Sequence, residues 1–139
     1  MTTPSRDRPE GQTAGSEQRP PRSVAGQALT FDLPRELATL KEEPSWLQGD
    51  RNARTLVQES EIRITLTALK AGSQVKAHRA PAWVTIQTVE GHLRLDLGGE
   101  MAELPTGHVL MLEPNVTHDV EAVGESAFLL TIAGLDRDR

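Results

Sequence analysis

From about residue 54 to residue 133 the apolar positions recur with a period of two, and only once, ahead of that stretch, with a helical period. Ile62, Ile64, Leu66 and Ala68 alternate with Arg63, Thr65, Thr67 and Leu69, the pattern of a half-buried strand. Residues 54–58, 83–89, 92–97, 108–112, 118–123 and 127–133 read as further strands. Turn signals separate the runs: Ala71-Gly72, Glu90-Gly91, Gly98-Gly99, Pro105-Thr106-Gly107, Pro114-Asn115 and Gly124. Short strands at this spacing, with one helix only, predict an all-β sandwich or barrel. The run 127–133 is apolar at every second and nearly every first position. Both its faces are therefore expected to be covered, one of them by a second subunit, which makes a homodimer the expected assembly.

The helical stretch lies at residues 33–43. Asp32 is placed to cap it, Leu33, Leu37 and Leu40 fall on one face, and Pro44 is expected to end it. Residues 44–53 read as a loop in which Trp46 acts as a lid on apolar surface.

Composition narrows the function classes. A chain of 139 residues is enough for one domain. Residues 1–27, rich in Pro, Arg, Ser, Thr, Gln and Gly, cannot bury enough apolar surface to offset the entropy of ordering and read as a disordered tail. The domain is then 28–139, with the barrel at about 54–133. Aromatics make up 3% of the chain, so the core is aliphatic. The net charge of -5 gives no footprint for nucleic acid or an anionic membrane. Without cysteine there are no disulfides, no thiol chemistry and no zinc–cysteine sites. No apolar run reaches the length of a membrane span, and the tail has no apolar signal region, so a cytoplasmic location is expected. There is no Gly-x-Ser-x-Gly, no phosphate-cradling glycine loop and no His-Glu-x-x-His.

Two stretches carry a family resemblance. Gly72-Ser-Gln-Val-Lys-Ala-His78-Arg-Ala80-Pro-Ala-Trp-Val84-Thr-Ile-Gln-Thr-Val-Glu-Gly91 resembles the first cupin motif in its glycine and histidine spacing. Gly107-His-Val-Leu-Met-Leu-Glu113-Pro-Asn115-Val-Thr-His118 resembles the second. The resemblance is to small, single-domain cupins of the conserved-barrel kind and implies a jelly-roll barrel: an all-β cupin-type barrel with one short N-terminal helix and a disordered tail. It also implies a metal shell built from two histidines and a glutamate of the first motif and a histidine of the second. Ala80 stands where the second histidine belongs and Val84 where the glutamate belongs. Glu113 and Asn115 replace the proline and glycine of the second motif.

Half of the implied shell therefore has no donor atom. A metal would have His78 and His118, with Glu113 or His108 as a possible further ligand, and two imidazoles plus water make a weak site for a divalent transition metal. The other reading is an apolar pocket in which His78 and His118 orient a small polar ligand, since a neutral imidazole both donates and accepts. Its expected lining is Ala80, Ala82, Val84, Ile86 and Val120. A third reading leaves both histidines bonded only to backbone or water. The expected function is small-molecule binding in the barrel without a full metal site and with no resident cofactor. The alternative is a metal-dependent dioxygenase or isomerase with a reduced shell. Trp83, of opposite parity to Val84, is expected to face outward, as are His92, Arg94 and Asp96.

Overall fold

The period-two pattern becomes nine strands within residues 28–134, the part of the chain that the computed structural model describes apart from the side chains of Ala77 and His78. The segment expected to be disordered, 1–27, lies outside the described residues.

Helix α1 (Leu33–Leu40) begins as its sequence requires. The Asp32 carboxylate accepts a hydrogen bond from the Arg35 N–H at 3.2 Å, and Leu37 and Leu40 are buried. The helix stops three residues short of its expected end. Pro44 then opens a second helix, α2 (Pro44–Gln48), where a loop was expected. A proline lacks only an N–H that has no partner in a first turn, so the residue that ends one helix also suits the start of the next. Trp46 on α2 is buried over apolar surface, in keeping with a lid. The Lys70 and Lys41 ammonium groups stand 5.0 and 5.7 Å from its ring.

The strands are β1 (Arg51–Gln58), β2 (Ile62–Leu69), β3 (Gln74–His78), β4 (Trp83–Glu90), β5 (His92–Asp96), β6 (Met101–Pro105), β7 (Val109–Leu112), β8 (His118–Ala122) and β9 (Ser126–Ala133). Two antiparallel sheets form, in the orders β1-β2-β9-β4-β7 and β3-β8-β5-β6, which is the expected jelly roll. β3 and β6 carry little apolar signal of their own and are strands because β8 and β5 pair with them.

Two cores result. One lies between the sheets and includes Val84, Ile86, Leu93, Leu95, Val120 and Phe128. The other lies between the helices and the outer face of the five-stranded sheet, with Leu37, Leu40, Trp46, Leu66, Ala68 and Ala127. A buried polar clamp ties the helices down. Arg54 on β1 pairs with Glu36 of α1 and, at 3.2 Å, with Glu43, while the Asn52 amide donates to the Leu40 carbonyl and to Glu43.

This second core changes the meaning of two sequence patterns. β9 is apolar on both faces because Phe128, Leu130 and Ile132 face the barrel while Ala127 and Leu129 face the helix layer. Its cover lies within the chain, so the pattern gives no sign of a second subunit. On β2, Leu66 and Ala68 are buried in the helix-side core, with Ile62 and Ile64 packed against it. The alternate positions Arg63, Thr65 and Thr67 must then share the barrel side with Leu69.

Candidate ligand-binding site

Register across the five-stranded sheet places these residues on common rungs. Arg63 lies opposite Ile132, which lies opposite Val84, which lies opposite Leu112. The next rung inward runs Thr55, Thr65, Leu130, Ile86, Leu110, and the third runs Ala53, Thr67, Phe128, Thr88. Directly opposed residues share a face. The inner wall of the barrel is thus divided: β4, β7 and β9 present aliphatic and aromatic groups, and β2 presents a guanidinium and two hydroxyls.

Burial differs between the two halves. Val84 and Ile86 are sealed in the core, at 3% and 1% exposure. Arg63, Thr65 and Thr67 are only half-buried. Among the described residues, no hydrogen bond or ion pair engages the Arg63 guanidinium or the hydroxyls of Thr65 and Thr67. Thr88, on the same wall, contrasts with them: it is fully buried and its hydroxyl donates to the Leu104 carbonyl at 2.8 Å.

His118 lies on the opposite sheet. It begins β8 on the inward parity shared with Val120 and Ala122 and is 3% exposed. Its Nδ1 lies 3.1 Å from the Val116 carbonyl. A carbonyl only accepts, so Nδ1 carries the proton and, in the neutral ring, Nε2 carries the lone pair. His78 is the Cα partner of His118 across the β3–β8 ladder. The register shifts between Val75 and His78, so a bulge in β3 brings position 78 opposite His118. The His78 side chain lies outside the described residues.

The chain leaves β3 through residues 79–82 without regular structure and crosses to the other sheet at Trp83. Asn115, in the loop after β7, holds this crossing in place: its N–H donates to the Ala80 carbonyl at 2.8 Å. Asn115 has φ of 69°, the left-handed region that asparagine tolerates better than most residues. It thus does the conformational work of the glycine that the second motif would carry.

The other expected site residues are dispersed. Ala82, Val84, Ile86 and Val120 belong to the packed core, with Ala80 against it, rather than facing open space. Glu113 is exposed in the loop beside the mouth. His108 is exposed just before β7, at the end of that strand away from Glu113, roughly 13–16 Å distant at the rise of an extended chain. Among the described residues, no three His, Asp or Glu side chains stand together as a metal's ligands would. Ala80 and Val84 offer no donor atom, so the residues present do not fit the shell that the motif implies. Trp83 faces outward, as expected, at 39% exposure.

The outer face of the four-stranded sheet is charged, as the alternation of β5 foretold. A cleft of about 160 Å³ opens there between Gln74, Lys76, Arg94, Asp96, Asp119 and Glu121. Arg94, and then His92, hold the Glu103 carboxyl beside it below the usual range by hydrogen bonding.

Sequence reasoning missed the β2 wall. The Arg63-x-Thr65-x-Thr67 stripe is visible in the chain, but an in–out rule assigns polar positions to solvent unless the outer face is known to be covered.

Comparison with known proteins fits this architecture. A family model described as the AraC-like ligand binding domain matches residues 63–137. Among solved structures, a conserved protein of unknown function from Streptococcus pyogenes is similar at TM-score 0.63 and 21% identity, over 78% of this chain and 90% of that one. A cupin superfamily protein from Desulfitobacterium hafniense is similar at 0.64 and 19%, over 76% and 93%. An RmlC-like cupin from Shewanella frigidimarina is similar at 0.59 and 17%, over 66% and 83%. No curated protein matches the chain in sequence. Among the described residues, no helix is long and apolar enough to cross a membrane.

Proposed function

The chain belongs to the AraC-like ligand-binding domain family, a cupin-type domain, and from that premise we propose that it binds a small molecule inside the barrel without a full metal site. The observation that carries this reading is the inner wall of β2. Polar groups that face a barrel interior and have no partner in the protein are costly to the fold unless water or a ligand meets them. Arg63, Thr65 and Thr67 are such groups among the described residues. A small ligand lying along β2 would rest its apolar side on Leu130 and Phe128 and its polar side on the threonines.

A thermal-shift screen of small metabolites tests the reading. A ligand at 100 times its Kd adds about 2.7 kcal/mol, a shift of several degrees for a domain this size. Stabilisation that disappears in T65V with T67V supports a barrel ligand. Ligands that stabilise both proteins equally would move the site elsewhere.

One observation favours the alternative of a metal-dependent enzyme: positions 78 and 118 are direct neighbours across the ladder. Ala80 and Val84, however, supply no donor to a metal there. Elemental analysis of untreated protein separates the two readings. The proposal also keeps the chain as a homodimer, on the ground that Val109 and Met111 of the edge strand β7 are exposed beside Trp83. A monomeric mass by light scattering at high concentration would end that part of it.

A further inference from the structure

We propose that the barrel site selects small carboxylates bearing hydroxyl or carbonyl oxygens, with Arg63 as the partner of the carboxylate. The inference rests on the reading that the barrel binds a small molecule, and it names the chemical class of that ligand. Arg63 stands on the outermost inner rung of β2, facing Ile132 across the ladder. It is half-buried, and none of the described acidic side chains pairs with it. Arg51, Arg54 and Arg94 each have a carboxylate within 3.2 Å or closer. Arg35 and Arg79 also lack a carboxylate partner among the described residues, but both are exposed, whereas Arg63 is half-buried on the barrel wall. A guanidinium presents paired N–H donors that match the two oxygens of a carboxylate, and the bond is charge-assisted.

The neighbouring groups set the rest of the ligand. Thr65 lies one rung deeper, roughly 6–7 Å along the strand, and Thr67 roughly 13 Å from Arg63. Each hydroxyl can donate to a carbonyl or accept from a hydroxyl. Leu130 of β9, only partly buried, adds an apolar surface beside them, so a ligand of a few carbons with a carboxylate at the mouth and oxygens further in meets Arg63, Thr65 and Thr67 in turn. A neutral sugar or polyol would offer the guanidinium hydroxyl acceptors only, without the opposite charge that strengthens the bond. A fatty acid would leave both threonine hydroxyls without a partner.

The test uses the full chain and matched probes: L-lactate against neutral L-lactamide, and D-gluconate against neutral D-glucitol, titrated while backbone amide shifts are followed by NMR. The acids should shift the amides of residues 63–67 and of His118, and each should bind at least tenfold more tightly than its neutral partner. R63Q should weaken the acids about tenfold or more and the neutral compounds distinctly less, as the loss of one charge-assisted contact requires. R63K, which keeps the charge without the planar fork, should fall between the two. Circular dichroism confirms that both variants fold; should R63Q fail to, the graded loss in R63K carries the test. Neutral probes that bind the barrel as well as the acids, with no response to R63Q, would overturn the carboxylate inference and leave barrel binding intact. Acids that shift no barrel amide at tens of millimolar would also overturn it. If the neutral probes and the metabolite screen are silent too, the binding reading falls with it.

Discussion

Replacing Thr65 or Thr67 with valine should leave the fold as stable as before, whereas the same change at Thr88 should not. All three residues lie on the inner wall of one sheet, and in each case a hydroxyl is exchanged for a methyl of nearly the same shape. The Thr88 hydroxyl is fully buried and donates to the Leu104 carbonyl at 2.8 Å. Removing it costs the bond and leaves a buried carbonyl unpaired, about 1–3 kcal/mol, offset by up to about 0.8 kcal/mol for the buried methyl. A net loss of roughly 0.2–3 kcal/mol follows. Thr65 and Thr67 are half-buried and bond to no described residue, so nothing is lost. Half of a methyl's burial gives a gain of about 0.4 kcal/mol each. Urea unfolding, followed by circular dichroism, reads these differences as midpoints at constant slope. The reasoning is refuted if T65V or T67V loses more than about 1 kcal/mol. Their hydroxyls would then stabilise the fold, and their place on the wall would say nothing about a ligand.

Arg54→Met should cost about 3–5 kcal/mol, because it leaves the Glu36 and Glu43 carboxylates side by side without their cation, and adding E36Q and E43Q should recover part of the loss; an unchanged unfolding midpoint would show the clamp to be dispensable. Asn115→Gly should be tolerated, while N115V, forced to a φ of 69°, should loosen the mouth; faster amide exchange in residues 79–82 and 113–118 would register it, and equal exchange in both variants would refute it. Untreated protein should hold less than one chelator-resistant transition metal per chain, and A80H with V84E should raise zinc affinity by calorimetry; one firmly held metal per wild-type chain would reverse the preference between the two functional readings.

The strands, most turns and the capped helix were legible along the chain because they are local: a period of two, a left-handed glycine or a capping aspartate acts over a few residues. The same holds for the motif spacing and for the gap at Ala80 and Val84, since a side chain without a donor atom cannot ligate in any fold. What a polar residue faces is not local. The alternation of Ile62, Ile64, Leu66 and Ala68 reads identically whether those residues face the barrel or a helix layer. Only the seating of α1 and α2 on the five-stranded sheet turns them outward and commits Arg63, Thr65 and Thr67 to the interior. The bulge that brings position 78 opposite His118 is likewise a property of the pairing with β8, not of β3 alone. The chain's own order fixed which residues could form strands and which positions lacked a ligand, whereas packing between layers decided which face of β2 became the wall of the site, because burial depends on what covers a face and not on the sequence that presents it.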